Sequence, residues 1–287
     1  MPFDTLIPAP RLAPLLSRND APVVVDCRFD LMDPQAGLRA YRQGHLPGAH
    51  YLHLETDLSG PLTGRNGRHP LPGRDAFAAR MAGLGVADDT QVVAYDDSGG
   101  MYAARLWWLM RWIGHRAVAV LDGGLQAWRA AGLPMDDLPA AVPATPARLT
   151  QRDSLVRTVS YQDVRDNLVS RAHIVVDARA PDRFRGENET MDPVGGHIPG
   201  ARNRLFRDNL NALGYFRSPD ELRGAFSALL DGYGPQGTIN QCGSGVTACH
   251  NLLAMEIAGL GGAALYPGSW SEWCAQPGAP VATGAAD

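Results

Sequence analysis

The stretch Val246–Trp273, VTACHNLLAMEIAGLGGAALYPGSWSEW, runs without a gap against Met101–Trp128, MYAARLWWLMRWIGHRAVAVLDGGLQAW, at an offset of 145 residues. Two shorter matches keep the same order. Val23–Arg28 (VVVDCR) falls on Ile174–Arg179 (IVVDAR), and Gly44–Ala49 (GHLPGA) falls on Gly196–Ala201 (GHIPGA), at offsets of 151 and 152. Repetition of both order and spacing means that one fold is present twice. It separates what the fold requires, found in both copies, from what one copy needs for chemistry. Between the copies, Leu138–Leu149 (LPAAVPATPARL) is rich in Ala and Pro, as in an extended linker whose prolines disfavour helix. The expected organisation is a first domain over residues 1–140, a linker over 141–155 and a second domain over 156–287. A chain of 287 residues is long enough for two domains of about 100–150 residues.

Within each copy, strand and helix alternate. Val23–Val25 and Ile174–Val176 are β-branched runs suited to strands buried on both faces, and Gln91–Tyr95 and Thr238–Gln241 read as later strands running into Gly-bearing turns. A helix pattern comes after each turn. The predicted fold class is therefore α/β, with two tandem domains, each a mainly parallel sheet flanked by helices. Ligands of such sheets gather at the carboxyl ends of the strands, and Cys242 lies at one of these ends.

In Ile239–Met255 (INQCGSGVTACHNLLAM), the cysteine directly succeeds a strand, Gly243 and Gly245 come within three residues, and a buried-helix pattern begins at Val246. The two glycines let the backbone curl so that several N–H groups face one spot, and the helix N-terminus adds partial positive charge. A thiolate there is stabilised, which makes Cys242 an acidic, accessible nucleophile. The competing reading is a buried structural cysteine. The internal comparison argues against it: Cys242 falls on Asp97, Ser244 on Gly99 and Thr247 on Tyr102, so the first copy has the loop without the thiol. The chemistry disfavours a phosphatase, because the arginine needed six positions after the cysteine to clamp a phosphate is here Ala248.

Composition narrows the partners. The chain is 45% hydrophobic and 20% charged with a net charge of −4, and no block of Lys or Arg stands out, which speaks against nucleic acid and against a polybasic membrane patch. No run of about 18 apolar residues is present, and MPFDTLIPAP has no basic leader, so a cytoplasmic location is expected. Four cysteines (Cys27, Cys242, Cys249, Cys274) are too few for a disulfide scaffold and lack the paired spacing of a zinc site. No metal or organic cofactor is expected.

The loop CGSGVT, the DAR…RF…GHIPGA stretch before it and an inactive first copy resemble tandem-domain rhodanese sulfurtransferases over nearly the whole chain. A loop with Gly-Ser after the cysteine is similar to the 3-mercaptopyruvate branch, whereas the thiosulfate branch carries Arg-Lys there. The resemblance implies a Cys242 persulfide, with Gly243, Gly245, Val246 and Thr247 holding the substrate by their amides and Ser244 contacting it. The donor is a small molecule, 3-mercaptopyruvate or thiosulfate, and the acceptor a thiol, cyanide or a thioredoxin-like protein. It further implies that Arg183 grips the substrate carboxylate, that His69 reaches the active site from the first domain, and that Glu55, where relatives carry Asp, orients His69. Where some relatives place a second arginine this chain has Asp192, so that one clamp is missing unless Arg185 or another cation replaces it.

Arg179 and His197 have counterparts, Arg28 and His45, in the inactive copy and so read as structural. Cys249 is either packing or a resolving thiol, and Cys27, Cys274, Trp107, Trp108 and Trp112 read as packing. A different class of function, a non-enzymatic persulfide carrier, shares the same loop.

Overall fold

Val92–Tyr95 and Ile174–Asp177 are buried at all four of their positions, as strands covered on both faces must be. The structure is a computed structural model and describes residues 2–285. The chain forms two compact units. One holds the chain up to Gly60, Pro72–Leu155 and Ala212–Phe216; the other holds Pro61–Leu71, Val156–Asn211 and the chain from Arg217 onward.

The first unit contains β1 (Leu6–Pro8), β2 (Val23–Asp26), β3 (His50–Tyr51), β4 (Val92–Tyr95) and β5 (Val118–Asp122), all parallel, in the order β1-β5-β4-β2-β3. In the second, β6 (Arg157–Thr158), β7 (Ile174–Asp177), β8 (Arg202–Asn203), β9 (Thr238–Gln241) and β10 (Ala264–Leu265) are again all parallel, in the order β6-β10-β9-β7-β8. The two orders correspond strand for strand, so the repeated sequence is a repeated topology. In both, the middle strand, β4 or β9, runs into a buried helix: Ala103–Trp112 in one, Thr247–Ile257 in the other. Each sheet carries its own apolar cluster, with Val24, Val93, Leu121 and Trp128 in the first and Val175, Ile239, Phe184 and Trp270 in the second.

The repeated D-x-R and G-H pairs have a shared job. Arg28 binds the Asp26 carboxylate through Nε and Nη2 and donates to the Gly44 carbonyl at 2.8 Å. Arg179 does the same with Asp177 and the Gly196 carbonyl, the latter at 2.6 Å. His45 Nδ1 lies 2.7 Å from the Tyr41 carbonyl and His197 Nδ1 lies 2.8 Å from that of Phe184. Each pair ties a strand end to the loop that precedes the next strand, and so satisfies buried polar groups that packing alone would leave unpaired.

Residues 141–155 contain neither strand nor helix. They run along the first unit, with the N–H groups of Ala147, Arg152 and Leu155 bonded to the carbonyls of Ala82, Ile113 and Arg111. Among the described residues no helix is long and apolar enough to cross a membrane.

Replacing Arg28 by Ala leaves the Asp26 carboxylate, fully buried, without its cation. Loss of one partner from a buried ion pair costs about 3–5 kcal/mol, so urea unfolding of R28A should shift to markedly lower denaturant.

Candidate active site

β9 ends at Gln241, and Cys242–Val246 turn the chain into the helix that starts at Thr247. Gly245 makes the turn with φ +78°, and a Cβ on it would stand 2.3 Å from the Pro267 carbonyl oxygen, so only glycine fits. Gly243 has no such backbone need, being absent from the left-handed region. A Cβ there would lie 2.9 Å from Arg68 Nη2 and 3.8 Å from both Nη atoms of Arg183, so that Arg68 would have to shift. The helix Ser269–Trp273 ties down the loop. Its Trp270 and Ser271 N–H groups bond the carbonyls of Cys242 and Gly243 at 3.0 and 2.9 Å, and Ser269 Oγ accepts from the Cys242 N–H at 3.1 Å.

With two of the loop carbonyls so engaged, one loop N–H faces the thiol. The Gly245 N–H points at Cys242 Sγ from 3.1 Å, while those of Gly243, Ser244, Val246 and Thr247 have no acceptor among the described residues. The first unit shows what such a ring attracts. There Asp96 turns its own carboxylate inward, accepting from the N–H groups of Ser98, Gly100, Tyr102 and Ala103 at 2.8, 2.8, 2.8 and 2.9 Å. Burial pushes the Asp96 carboxyl up, and the four N–H bonds pull it only part of the way back. At the offset of 145, Asp96 corresponds to Gln241, an amide with no charge to offer. The loop of the second unit thus lacks the internal carboxylate that fills the first.

Cys242 is less open than the sequence suggests. It is 2% exposed, a recessed thiol rather than an accessible one, because the loop curls round its sulfur. Its sulfur nonetheless meets one main-chain donor, the Gly245 N–H.

Ser244 and His69 do come together, with His69 Nδ1 2.7 Å from Ser244 Oγ and both residues buried. His69 is part of the second unit through the segment Pro61–Leu71, although the chain on both sides of that segment belongs to the first. Glu55 is exposed on the first unit, its N–H bonded to His53 Nδ1.

Arg183 is already engaged. Its Nε and Nη2 bond Glu189, the closest contact being 2.8 Å, and Nη2 lies 3.5 Å from Asp192. Glu189 is also held by Arg179 Nη1 at 3.3 Å and by the N–H groups of Met191 and Asp192. Burial pushes the Glu189 carboxyl up, but the Arg183 bonds and these N–H groups outweigh it and hold it below its usual range. Asp192 is buried and pairs with Arg68, and here burial wins and raises its carboxyl. Arg185 is half-buried and bonds Glu187. Sequence reasoning misses Asp96, Glu189 and Arg68. Asp96 has a signal, being the acid one residue before the counterpart of the thiol.

The remaining thiols are ordinary. Cys249 is fully buried and donates to the Gly245 carbonyl at 3.3 Å. Burial raises Cys27 well above a normal thiol and Cys274 to about 11. Trp107 and Trp108 are fully buried in the first unit. Among the described residues no group of three or more His, Cys, Asp or Glu is placed to hold a metal ion.

A family model for the rhodanese-like domain matches the chain twice, over residues 11–131 and 160–276. The chain belongs to the rhodanese family. A Pseudomonas aeruginosa protein named "Probable 3-mercaptopyruvate sulfurtransferase" is 46% identical to it over 281 residues, 97% of this chain and 98% of that protein. The thiosulfate sulfurtransferase of Bos taurus is 38% identical across 87% of this chain and 84% of its own. Among solved structures, the Escherichia coli 3-mercaptopyruvate sulfotransferase SseA superposes with a TM-score of 0.78 at 30% identity, covering 93% of this chain and 99% of that one. This rhodanese is a sulfurtransferase, with two five-stranded parallel domains as the family fold requires.

Two measurements probe the loop and its acid support. Gly245→Ala forces a side chain into the left-handed region and against a carbonyl, so turnover should fall by about a hundredfold or more and stability by at least about 1–3 kcal/mol. Glu189 has a lowered pKa in the folded state, so its stabilising effect is present above the unfolded carboxyl range and fades as pH falls through the folded value. E189Q should therefore be less stable than the parent at pH 7, with the gap closing in thermal melts below about pH 4.

Proposed function

We propose that the protein takes its sulfur from 3-mercaptopyruvate and carries it as a persulfide on Cys242. The observation that carries this reading is the Gly245 N–H on Cys242 Sγ, at 3.1 Å, inside a loop whose Gly243, Ser244, Val246 and Thr247 N–H groups have no acceptor among the described residues. The Cys242 thiolate attacks the donor sulfur, forming an S–S bond. The bond between that sulfur and C3 of the donor breaks, and its electron pair leaves on the pyruvate enolate. A proton then converts the enolate to pyruvate. The loop amides of Gly243, Gly245, Val246 and Thr247 stabilise the sulfur anion and the charge that develops in the transition state.

Ser244, 2.7 Å from His69, is suited to contact the leaving oxygen and pass a proton with the imidazole. Glu55 is the proposed carboxylate partner of His69. Arg183 takes the donor carboxylate. In the second half-reaction a thiolate, from a small thiol or a thioredoxin-like protein, or cyanide attacks the outer sulfur and returns Cys242 to its thiolate. A thiol-rich setting such as the cytoplasm suits that acceptor chemistry.

Thiosulfate is the second reading, on the strength of the bovine thiosulfate sulfurtransferase among the relatives. Against it stands the cation-poor loop, which has no Lys or Arg from Cys242 to Thr247.

Turnover with 3-mercaptopyruvate and with thiosulfate, each with cyanide as acceptor, should favour 3-mercaptopyruvate by at least about tenfold in kcat/KM; preference for thiosulfate would reverse the donor assignment. Cys242→Ser should abolish both reactions, since its hydroxyl is a far weaker nucleophile at neutral pH. In mass spectra of the protein, a stoichiometric extra sulfur with negligible pyruvate release would indicate a carrier instead.

A further inference from the structure

Ser271 is tied to both sides of the pair formed by His69 and Ser244. Its main-chain N–H bonds the Gly243 carbonyl at 2.9 Å, and its Oγ accepts the Arg68 main-chain N–H at 3.1 Å. Gly243 is the residue before Ser244, and Arg68 is the residue before His69. One residue thus fixes the chain neighbours of the two groups that meet at 2.7 Å.

The segment that carries His69 is irregular, since residues 61–73 contain neither strand nor helix. It docks on the helix Ser269–Trp273 and the turn before it. Gly67, with φ +81°, passes so close that a Cβ on it would stand 2.7 Å from the Gly268 carbonyl oxygen and 3.2 Å from Ser271 Oγ. Ser271 Oγ also donates to that carbonyl at 3.3 Å, so what it offers to Arg68 is a lone pair. Further along, Gln276 Nε2 bonds the Arg65 carbonyl at 3.0 Å. The Arg68 side chain has a separate hold on Asp192, which fixes its guanidinium but not its main chain. Ser271 is 8% exposed, so water is a poor substitute for its hydroxyl.

The first copy is built differently here. At the offset of 145, Ser271 falls on Gln126, which is exposed and turns its Nε2 to the Asp97 carbonyl. The fold therefore does not call for a serine at this place.

We propose that Ser271 is a positioning residue of the sulfur transfer: by holding Gly243 and Arg68 together it sets the His69 imidazole against the Ser244 hydroxyl. Proton transfer needs its two groups within hydrogen-bond reach, and an irregular segment keeps that distance only when its main chain is held. The proposal rests on the part given above to His69 and Ser244 in the reaction, and it does not depend on which donor supplies the sulfur.

Amide hydrogen exchange at Arg68, followed by NMR in the full chain, should quicken by about tenfold or more in Ser271→Ala, which removes the acceptor of that N–H. With whichever donor is turned over faster, kcat should fall by about ten- to a hundredfold. Iodoacetamide should alkylate Cys242 at the parent rate, because the Gly243 carbonyl keeps its main-chain bond. The deciding comparison adds S271A to His69→Ala: when Ser271 acts through the imidazole, kcat of the double variant stays within about twofold of H69A. A double variant slower than H69A by the whole S271A factor, an Arg68 amide that exchanges no faster, or a changed alkylation rate would overturn the proposal. Turnover of H69A at the parent rate, with Arg68 exchange still quickened in S271A, would instead overturn the part given to His69 while leaving the tie in place.

Discussion

Main-chain N–H groups that converge at the carboxyl end of the middle strand are the constraint on which the rest of the molecule turns. A buried donor must find an acceptor, and a loop that aims several of them at one place demands an anion there. The two copies meet this demand differently. In the first, Asp96 fills the ring with its own carboxylate, and the loop becomes a closed piece of structure. In the second, Gln241 stands at that position and the next residue is a thiol. The carboxylate that fills the first loop has an uncharged amide as its counterpart in the second.

A second chain of interactions links the scaffold to that thiol. Asp177 and Arg179 form the same buried anchor as Asp26 and Arg28 in the other copy, so their first duty is to the fold. Only in the second copy does the anchor extend outward, from Arg179 to Glu189, from Glu189 to Arg183, and through Asp192 to Arg68. Alternating charges of this kind hold long, flexible side chains in a narrow range of positions, which is what orientation of a small anionic substrate requires. The site is thus built on a structural motif that both copies share, and the arginines that face the loop inherit their positions from residues that never touch it.

The fold and the turn after the middle strand are legible in the sequence, for reasons visible in particular residues. The β-branched run Ile174–Val176 marks a buried parallel strand, and the gapless match from Val246 to Trp273 defines the helix and strand beyond the loop. Cys242 stands out by its absence from the other copy. The features that stay hidden depend on distant contacts. Whether a thiol in a curled loop is exposed is decided by how tightly the loop closes, so the recess around Cys242 is not legible. Asp192 reads as a lost clamp because its partner, Arg68, lies 124 positions away in the chain. Gly243 reads as a residue that lets the backbone curl, whereas its φ lies outside the left-handed region and a Cβ on it would meet Arg68.

The segment Pro61–Leu71 has a consequence for how this duplicated protein can change. It brings His69 and Arg68 to the thiol-bearing unit from within the stretch of chain that otherwise builds the other one, and Ala212–Phe216 makes the reverse exchange. A cut between Leu155 and Val156 would strand both side chains on the wrong fragment. The first copy is for that reason no separable relic: deleting its stretch of chain would remove His69 and Arg68, whose side chains bond Ser244 and Asp192 in the second unit.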